Sequence, residues 1–154
     1  MHTVDTTTGQ LVAAVRRLMG AKRAVQRRLT GVGLSLPSGG VVVLDRLVVG
    51  GPARIGDLAL AGRCHLSVTS RLVAELETGG YVARETDPLD GRSHLIVVTD
   101  RGREYLQRCL AEVASVFEQA LAGWSSDERA AMAEQLTRLG AALDDALQTN
   151  GAAT

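Results

Sequence analysis

Apolar side chains recur at alternating intervals of four and three residues along three stretches of the chain, a spacing typical of amphipathic α-helices. The first stretch runs from about Gln10 to Leu29, the second follows Thr99, and the third follows Ser125. Thr99 is placed to cap the second helix, and Ser125 with Glu128 has the spacing of a capping box for the third. The apolar residues are Leu11, Val15, Leu18, Val25 and Leu29, then Leu106, Leu110, Val113, Phe117 and Leu121, then Met132, Leu136, Leu139 and Leu143.

The middle of the chain predicts three shorter helices. One begins near Pro37, which suits the first turn of a helix, and ends at Gly50. The other two, Ile55 to Ala61 and Leu66 to Thr78, are separated only by the tight connection 62–65. Two short helices joined in this way have the proportions of a helix-turn-helix.

Two segments rich in strand-forming residues, 81–85 and 94–98, follow the helix-ending pair Gly79-Gly80. Between them lies a loop, 86–93, whose Asp, Pro and Gly residues favour turns. These segments predict a β-hairpin with a charged loop. The whole pattern therefore predicts a mainly α fold with a small β-hairpin wing (α+β), arranged as a winged helix-turn-helix.

The helix predicted over 66–78 has an outward face suited to duplex DNA. A helix enters the major groove only where its exposed face is slim and carries hydrogen-bonding groups. Arg71 suits a guanine edge or a phosphate, Val68 a thymine methyl, and Ser67 a phosphate. The inward face is expected to comprise Thr69, Leu72, Val73 and Leu76. The expected DNA-binding residues in and before this helix are His65, Ser67, Val68, Ser70 and Arg71.

The predicted wing adds a second candidate contact. A cation on a hairpin beside such a helix can lie over the minor groove, where the potential is strongly negative. Arg92 is the candidate for this contact. Asp87 and Asp90 would repel phosphates, so we expect them to fold the loop or to orient an arginine.

The charge balance of the chain argues against DNA binding until its distribution is considered. Seventeen Lys and Arg residues match seventeen Asp and Glu residues, whereas DNA-binding proteins usually carry a basic excess. Between Thr6 and Leu44, however, there are six basic residues and no acid. These six could form a solvated face, a phosphate-facing patch, or a partner for the acidic C-terminal helices of a second subunit, and we favour the last.

Five segments, taken in their order along the chain, resemble the MarR (multiple antibiotic resistance regulator) family of winged helix-turn-helix regulators, and the resemblance covers nearly the whole chain. They are the core segment 55–59, the recognition helix 67–77, and the segments 80–84, 87–92 and 98–102. The resemblance implies a homodimer that sets two recognition helices into successive major grooves of a roughly palindromic site. It also implies a switch by a small effector, often a phenolic or aromatic carboxylate. One departure is Gly91, which stands where the family commonly has the first of two adjacent arginines.

The resemblance divides the chain into dimerisation helices, 8–30 and 100–148, around a DNA-binding region, 36–99. Three long helices lie outside the DNA-reading segment, and one chain of this size offers too little other surface to cover them all. We therefore expect the dimer interface to include Leu11, Val15, Leu18, Leu136, Leu139 and Leu143.

Other functional classes find less support. Cys64 and Cys109 lack metal-ligand spacing, the histidines show none either, and no catalytic constellation appears, so we expect no metal, no cofactor and no enzyme. An aromatic content of 3% points to no stacking pocket for an effector. No signal segment or membrane-spanning stretch is evident, so we expect a cytoplasmic protein without membrane contact.

Two alternatives remain beside a DNA-binding regulator. The neutral charge and Gly91 fit a winged-helix module that binds proteins without reading DNA. Cys64, immediately before the recognition helix, would suit a redox sensor, although an inert buried thiol is the commoner condition for a lone cysteine. We expect Cys109 to pack beside the apolar seam of its helix.

Overall fold

The computed structural model describes residues 6–36 and 38–151 of the chain. The prediction for Pro37 therefore lies outside the described residues. Within them the chain forms six helices and a two-stranded antiparallel sheet, which confirms the mainly helical fold with a hairpin. The helices are α1 (Thr6–Gly31), α2 (Ser38–Gly50), α3 (Ile55–Ala61), α4 (Leu66–Thr78), α5 (Asp100–Ala120) and α6 (Ser126–Gly151), and the strands are β1 (Val82–Asp87) and β2 (Asp90–Val98).

The predicted bounds of the two short helices are confirmed at both ends, since α3 and α4 begin and end where the sequence pattern places them. Helix α1 is longer than predicted, because it begins at Thr6 and continues to Gly31. The predicted caps are also present. The Thr99 hydroxyl accepts a hydrogen bond from the Gly102 amide at 3.1 Å, and Ser125 and Glu128 exchange the bonds of a capping box.

The chain divides into two compact units, Met1–Ala114 and Ser115–Thr154. The first unit holds a single hydrophobic cluster to which α1, α2, α3, α4, both strands and α5 contribute. Its most deeply buried members are Leu34, Leu44, Leu47, Leu76, Ile96, Val73 and Cys109. Cys109 thus packs in the core, as predicted.

The wing differs from its prediction in length. The strands reach Asp87 and Asp90, so only Pro88 and Leu89 separate them, where the sequence pattern predicts an eight-residue loop over 86–93. Pairing continues regularly from Val82↔Val98 to Thr86↔His94 and then shifts to Asp87↔Asp90. Residues 91–93 therefore bulge from β2 beside the tip.

A third segment pairs with the sheet outside the two strands. The backbone of Ala53 donates to and accepts from Ile96, at 3.2 and 2.8 Å, in an antiparallel bridge. This bridge ties the chain that enters α3 to the middle of β2. The wing and the helix-turn-helix are therefore joined by backbone hydrogen bonds as well as by the core.

The second unit contains the end of α5, a short connection and α6. Arg129 donates from Nη2 to the Leu121 carbonyl at 2.7 Å, which fixes the connection to the first turns of α6. Across residues 6–36 and 38–151, no helix combines the length and the apolar character needed to cross a membrane.

Candidate nucleic-acid interface

Helix α4 is held against the first unit by one apolar face. Thr69, Val73 and Leu76 are buried, and Leu72 is partly buried. The start of α2 approaches this face closely, since a Cβ added to Gly39 would lie 2.9 Å from a Leu72 methyl carbon. Glycine at that position lets the two helices pack with little space between their backbones, and this contact helps to set the position of α4.

Both ends of α4 are defined by backbone geometry. Before it, Arg63 adopts a left-handed conformation (φ 50°), and the Cys64 amide donates to the Ala59 carbonyl at 3.0 Å, which closes the turn after α3. After it, Gly80 is left-handed (φ 72°) and the Tyr81 amide donates to the Leu76 carbonyl at 2.9 Å. This second arrangement is a Schellman motif, which ends the helix and directs the chain into β1.

The opposite face of α4 is open. Ser67 and Val68 are exposed, as is His65 at the N-cap position, whereas Ser70 is partly buried. The Arg71 side chain is 77% exposed, and its Nε lies 4.0 Å from a Glu75 carboxylate oxygen one turn later. An exposed ion pair at that distance is weak, so Arg71 can leave Glu75 and bind another anion at little cost.

The wing tip is organised around Asp87, whose side chain is 5% exposed. Arg54, from the chain just before α3, donates to Asp87 Oδ2 from both Nε and Nη2, at 2.9 and 2.6 Å. The Leu89 amide donates to Oδ1 at 2.9 Å. These bonds hold the pKa of Asp87 below its ordinary value, and the Leu89 amide contributes more to this shift than Arg54 does. The same ion pair raises the pKa of Arg54. Asp87 is therefore ionised at neutral pH, and the positive charge of Arg54 balances its negative charge.

Asp90 organises the bulge that carries Arg92. Its Oδ1 accepts from the Arg92 amide at 3.1 Å, and its carbonyl accepts from the Ser93 hydroxyl at 3.1 Å. The other Asp90 carboxylate oxygen lies 3.9 Å from Arg54 Nη2. Both wing acids thus bind groups of their own chain, and the side chain of Arg92 is exposed to solvent.

A cleft of about 330 Å³ lies in the first unit near the C-terminal end of α4. The Tyr81 and Tyr105 rings lie 4.9 Å apart, and the Arg101 guanidinium lies 5.0 Å from the Tyr81 ring centre. The cleft is lined by Gly33, Tyr81, Arg101, Glu104, Tyr105 and Arg108. The low aromatic content pointed to no stacking pocket. The fold brings two distant tyrosines together here, with their rings in contact and tilted by 60°.

The Tyr105 hydroxyl is already engaged in this cleft. It accepts a hydrogen bond from the Leu36 amide at 2.9 Å. Burial is the main cause that raises the pKa of Tyr105 to about 12, so the phenol is neutral at physiological pH. The charged groups that line the cleft are therefore two arginines and one glutamate.

The two cysteines occupy different environments. Cys109 is buried, and burial raises the pKa of its thiol. Cys64 is exposed in the turn before α4, which corrects the expectation of a buried thiol, because this short turn leaves its side chain at the surface. Its Sγ lies 3.3 Å from the Gly62 carbonyl oxygen. Within residues 6–36 and 38–151, no group of three His, Cys, Asp or Glu side chains is placed to hold a metal ion.

The residues expected at a dimer interface are uncovered in the single chain. In α1, Leu11 and Leu18 are more than half exposed and Val15 is partly buried; in α6, Leu136 and Leu143 are exposed and Leu139 is partly buried. Within the described residues, Arg28 of the acid-free segment has a partner in its own chain, since its Nε lies 3.4 Å from Glu112 of α5.

A helix-turn-helix followed by a hairpin that is tied to it defines a winged helix-turn-helix, a DNA-binding class of fold. Residues 41–93 match the MarR family profile. The uncharacterized HTH-type transcriptional regulator YxaD of Bacillus subtilis (strain 168) is 31% identical over 136 residues, covering 88% of this chain and 92% of that relative. This chain belongs to the MarR family of transcriptional regulators.

Solved structures show the same fold. A MarR family protein from Bacillus stearothermophilus superposes with a TM-score of 0.80 at 20% identity, over 93% of this chain and 99% of its own. The PcaV transcriptional regulator from Streptomyces coelicolor, solved in complex with its natural ligand, has a TM-score of 0.65 at 25% identity, over 93% of this chain and 99% of its own.

Sequence reasoning missed Arg54 and the tyrosine cleft. Arg54 is 33 residues from Asp87, and no local pattern links the two. The sequence held one signal for Arg54, because the wing acids were expected to orient an arginine, but it did not indicate which one. Tyr81 lies in a segment assigned to a strand, and Tyr105 lies in a segment assigned to a helix but outside its apolar seam. Nothing in the periodicity therefore brought the two tyrosines together.

Proposed function

We propose that this chain is a repressor that binds a pseudo-palindromic duplex site as a homodimer and releases it when a small effector binds. The observation that carries the proposal is the two-sided character of α4. One face is buried against the first unit, and the other presents Ser67, Val68 and a 77% exposed Arg71. Such a face can lie in a major groove with Arg71 at a guanine edge or a phosphate.

The wing supports the same reading of duplex DNA. Its two acids, Asp87 and Asp90, accept hydrogen bonds from Arg54 and from backbone amides, so they present little free negative charge to phosphates. Arg92 projects from the bulge that Asp90 holds. This arrangement suits an arginine placed over a minor groove beside the major groove that α4 enters.

Dimerisation is proposed through the helices outside the DNA-binding region, 8–30 and 100–148. Apolar side chains of α1 and α6 that are exposed in one chain would be covered in a dimer. Two chains would place their α4 helices about one helical turn of DNA apart, which doubles the contacts and adds specificity. Sedimentation equilibrium of the purified chain tests this step, and a monomer at micromolar concentration would contradict it.

The effector is proposed to bind in the cleft beside the Tyr81–Tyr105 pair, which Arg101 and Arg108 also line. Arg101 and Arg108 outnumber Glu104 there, so the cleft suits a small aromatic carboxylate rather than a cation. The Leu76 carbonyl accepts from the Tyr81 amide, so a ligand that shifts Tyr81 acts directly on the end of α4. We expect 4-hydroxybenzoate to weaken DNA binding by the wild type and not by Arg108→Gln, with the exposed Arg103→Gln of the same helix as control.

Fluorescence anisotropy with a labelled random 40-bp duplex tests DNA binding itself. A DNA-binding protein loses affinity steeply between about 50 and 200 mM salt, because bound cations release counterions. The zero net charge of the chain favours one other candidate function, a winged-helix module that binds proteins. That module predicts no binding to duplex at low salt, and such a result would overturn the proposal.

A further inference from the structure

Leu89 is the most exposed of the large apolar side chains at the wing, at 94%. It lies in the two-residue tip between β1 and β2, beside Pro88. The geometry points to Leu89 as an apolar contact with the minor groove of duplex DNA, which makes it a determinant of affinity and of groove preference. This inference rests on the proposed DNA binding and adds a residue to it.

The backbone at Leu89 is held by the hydrogen bonds that Asp87 accepts in the wing tip. The Leu89 amide donates to Asp87 Oδ1 at 2.9 Å, and Asp87 is in turn held by two bonds from Arg54. The Ser93 hydroxyl lies 3.4 Å from Asp87 Oδ2 and closes the other side of the tip. An isolated exposed leucine needs no explanation, but here a buried carboxylate fixes the backbone that carries Leu89, so the backbone loses little entropy on binding.

Arg92 is presented by the same set of hydrogen bonds. Asp90 follows Leu89 directly and accepts the Arg92 amide, so the leucine and the arginine leave the wing from one small, rigid segment. Minor-groove proteins commonly combine a cation with an apolar side chain that lies against the sugars or between base steps. Because position 91 is glycine, this wing carries less positive charge than an Arg-Arg pair would give it. Leu89 adds an apolar contact beside the single ionic contact of Arg92.

An apolar contact and an ionic contact respond differently to salt, so the salt dependence of DNA binding distinguishes the contribution of Leu89 from that of Arg92. An arginine on DNA displaces counterions, so its loss lowers the slope of log Kd against log salt by about 1 for each chain bound. Leucine displaces no counterion. Leu89→Ala should therefore weaken binding about tenfold at every salt concentration with an unchanged slope, whereas Arg92→Ala should lower the slope.

The groove is identified with modified DNA. Replacing each G·C pair of a 40-bp duplex by I·C removes the 2-amino group from the minor groove and leaves the major-groove edge unchanged. If Leu89 enters the minor groove, the wild type gains affinity on this replacement and Leu89→Ala gains less. Equal gains by the two proteins would overturn the minor-groove assignment.

Three further proteins make the experiment decisive. Leu89→Met keeps an apolar side chain and should bind within about twofold of wild type, while Leu89→Ser should resemble Leu89→Ala. Val49→Ala, which shortens an 82% exposed side chain of α2, is the control for loss of an exposed apolar group and should bind normally. Thermal unfolding of each variant should match that of the wild type, because Leu89 makes no core contact.

The outcomes separate this inference from the function on which it rests. No binding of wild type to either duplex at low salt would overturn DNA reading altogether. Normal wild-type binding with an unaffected Leu89→Ala would overturn the leucine contact alone. A changed salt slope in Leu89→Ala would also overturn it, because the leucine would then act only through the charges around it.

Discussion

Gly102 of α5 packs directly on the backbone of Tyr81, so that a Cβ at position 102 would overlap the Tyr81 carbonyl oxygen. The same junction is tied by Thr99, whose hydroxyl donates to the Gly80 carbonyl at 2.7 Å and accepts from the Gly102 amide. The Thr99 amide donates to the Tyr81 carbonyl. The end of the recognition helix, the start of the wing and the start of α5 are therefore fixed at one point.

Gly102→Ala should be strongly destabilising. The added methyl meets backbone, which cannot rotate away as a side chain can, so we expect a loss of roughly 3 kcal/mol in the free energy of unfolding. Urea unfolding followed by circular dichroism measures it. Gly56→Ala in α3 is the matched control, since nothing lies within 4 Å of its Cβ and alanine favours a helix by up to about 1 kcal/mol. Equal effects of the two substitutions would contradict the close packing.

Asp87→Asn should change the pH dependence of stability. The native pKa of Asp87 is lowered by the Leu89 amide and then by Arg54, relative to about 3.9 when unfolded. A carboxyl with a lowered native pKa adds stability above its unfolded value and loses it as the pH falls through the native value. The difference between wild type and variant should be constant from pH 7 to about 5 and shrink below about 4. Urea midpoints across pH, with the exposed Glu85→Gln as control, test this.

Arg71 and Arg92 should make different contributions to DNA binding. Arg71→Ala should reduce both affinity and sequence preference, by about 1–3 kcal/mol if Arg71 reads a base. Arg92→Ala should weaken binding with a smaller change in preference, because the minor groove distinguishes base pairs less well. Selection of bound fragments from a random duplex library measures both quantities. Equal and sequence-independent losses from the two variants would refute this division.

The two thiols should react at very different rates. Cys64 is exposed, whereas Cys109 is buried with a raised thiol pKa, and the thiolate is the reactive form. One equivalent of iodoacetamide should therefore label Cys64 in the folded protein, and both residues should be labelled only in denaturant. Peptide mass spectrometry assigns the sites. Were Cys64 also a redox sensor, Cys64→Ser would abolish a peroxide response in DNA binding, and a retained response excludes that role.

Local features of the sequence determined the elements of this protein and much of its candidate site. The bounds of α3 and α4, the Thr99 cap and the Ser125–Glu128 capping box all depend on residues within about four positions of each other. The same periodicity placed Thr69, Val73 and Leu76 inward, which left Ser67, Val68 and Arg71 on the open face. Family membership also followed from the order of these segments.

Tertiary structure alone decided the features that join distant parts of the chain. The clamp between Arg54 and Asp87, the backbone bridge between Ala53 and Ile96, and the meeting of Tyr81 with Tyr105 have no local pattern. Each depends on which surfaces the core brings together, since burial of apolar area has no direction and specifies partners only through packing. Periodicity along one helix specifies which face is inward, and the fold then specifies what that face meets.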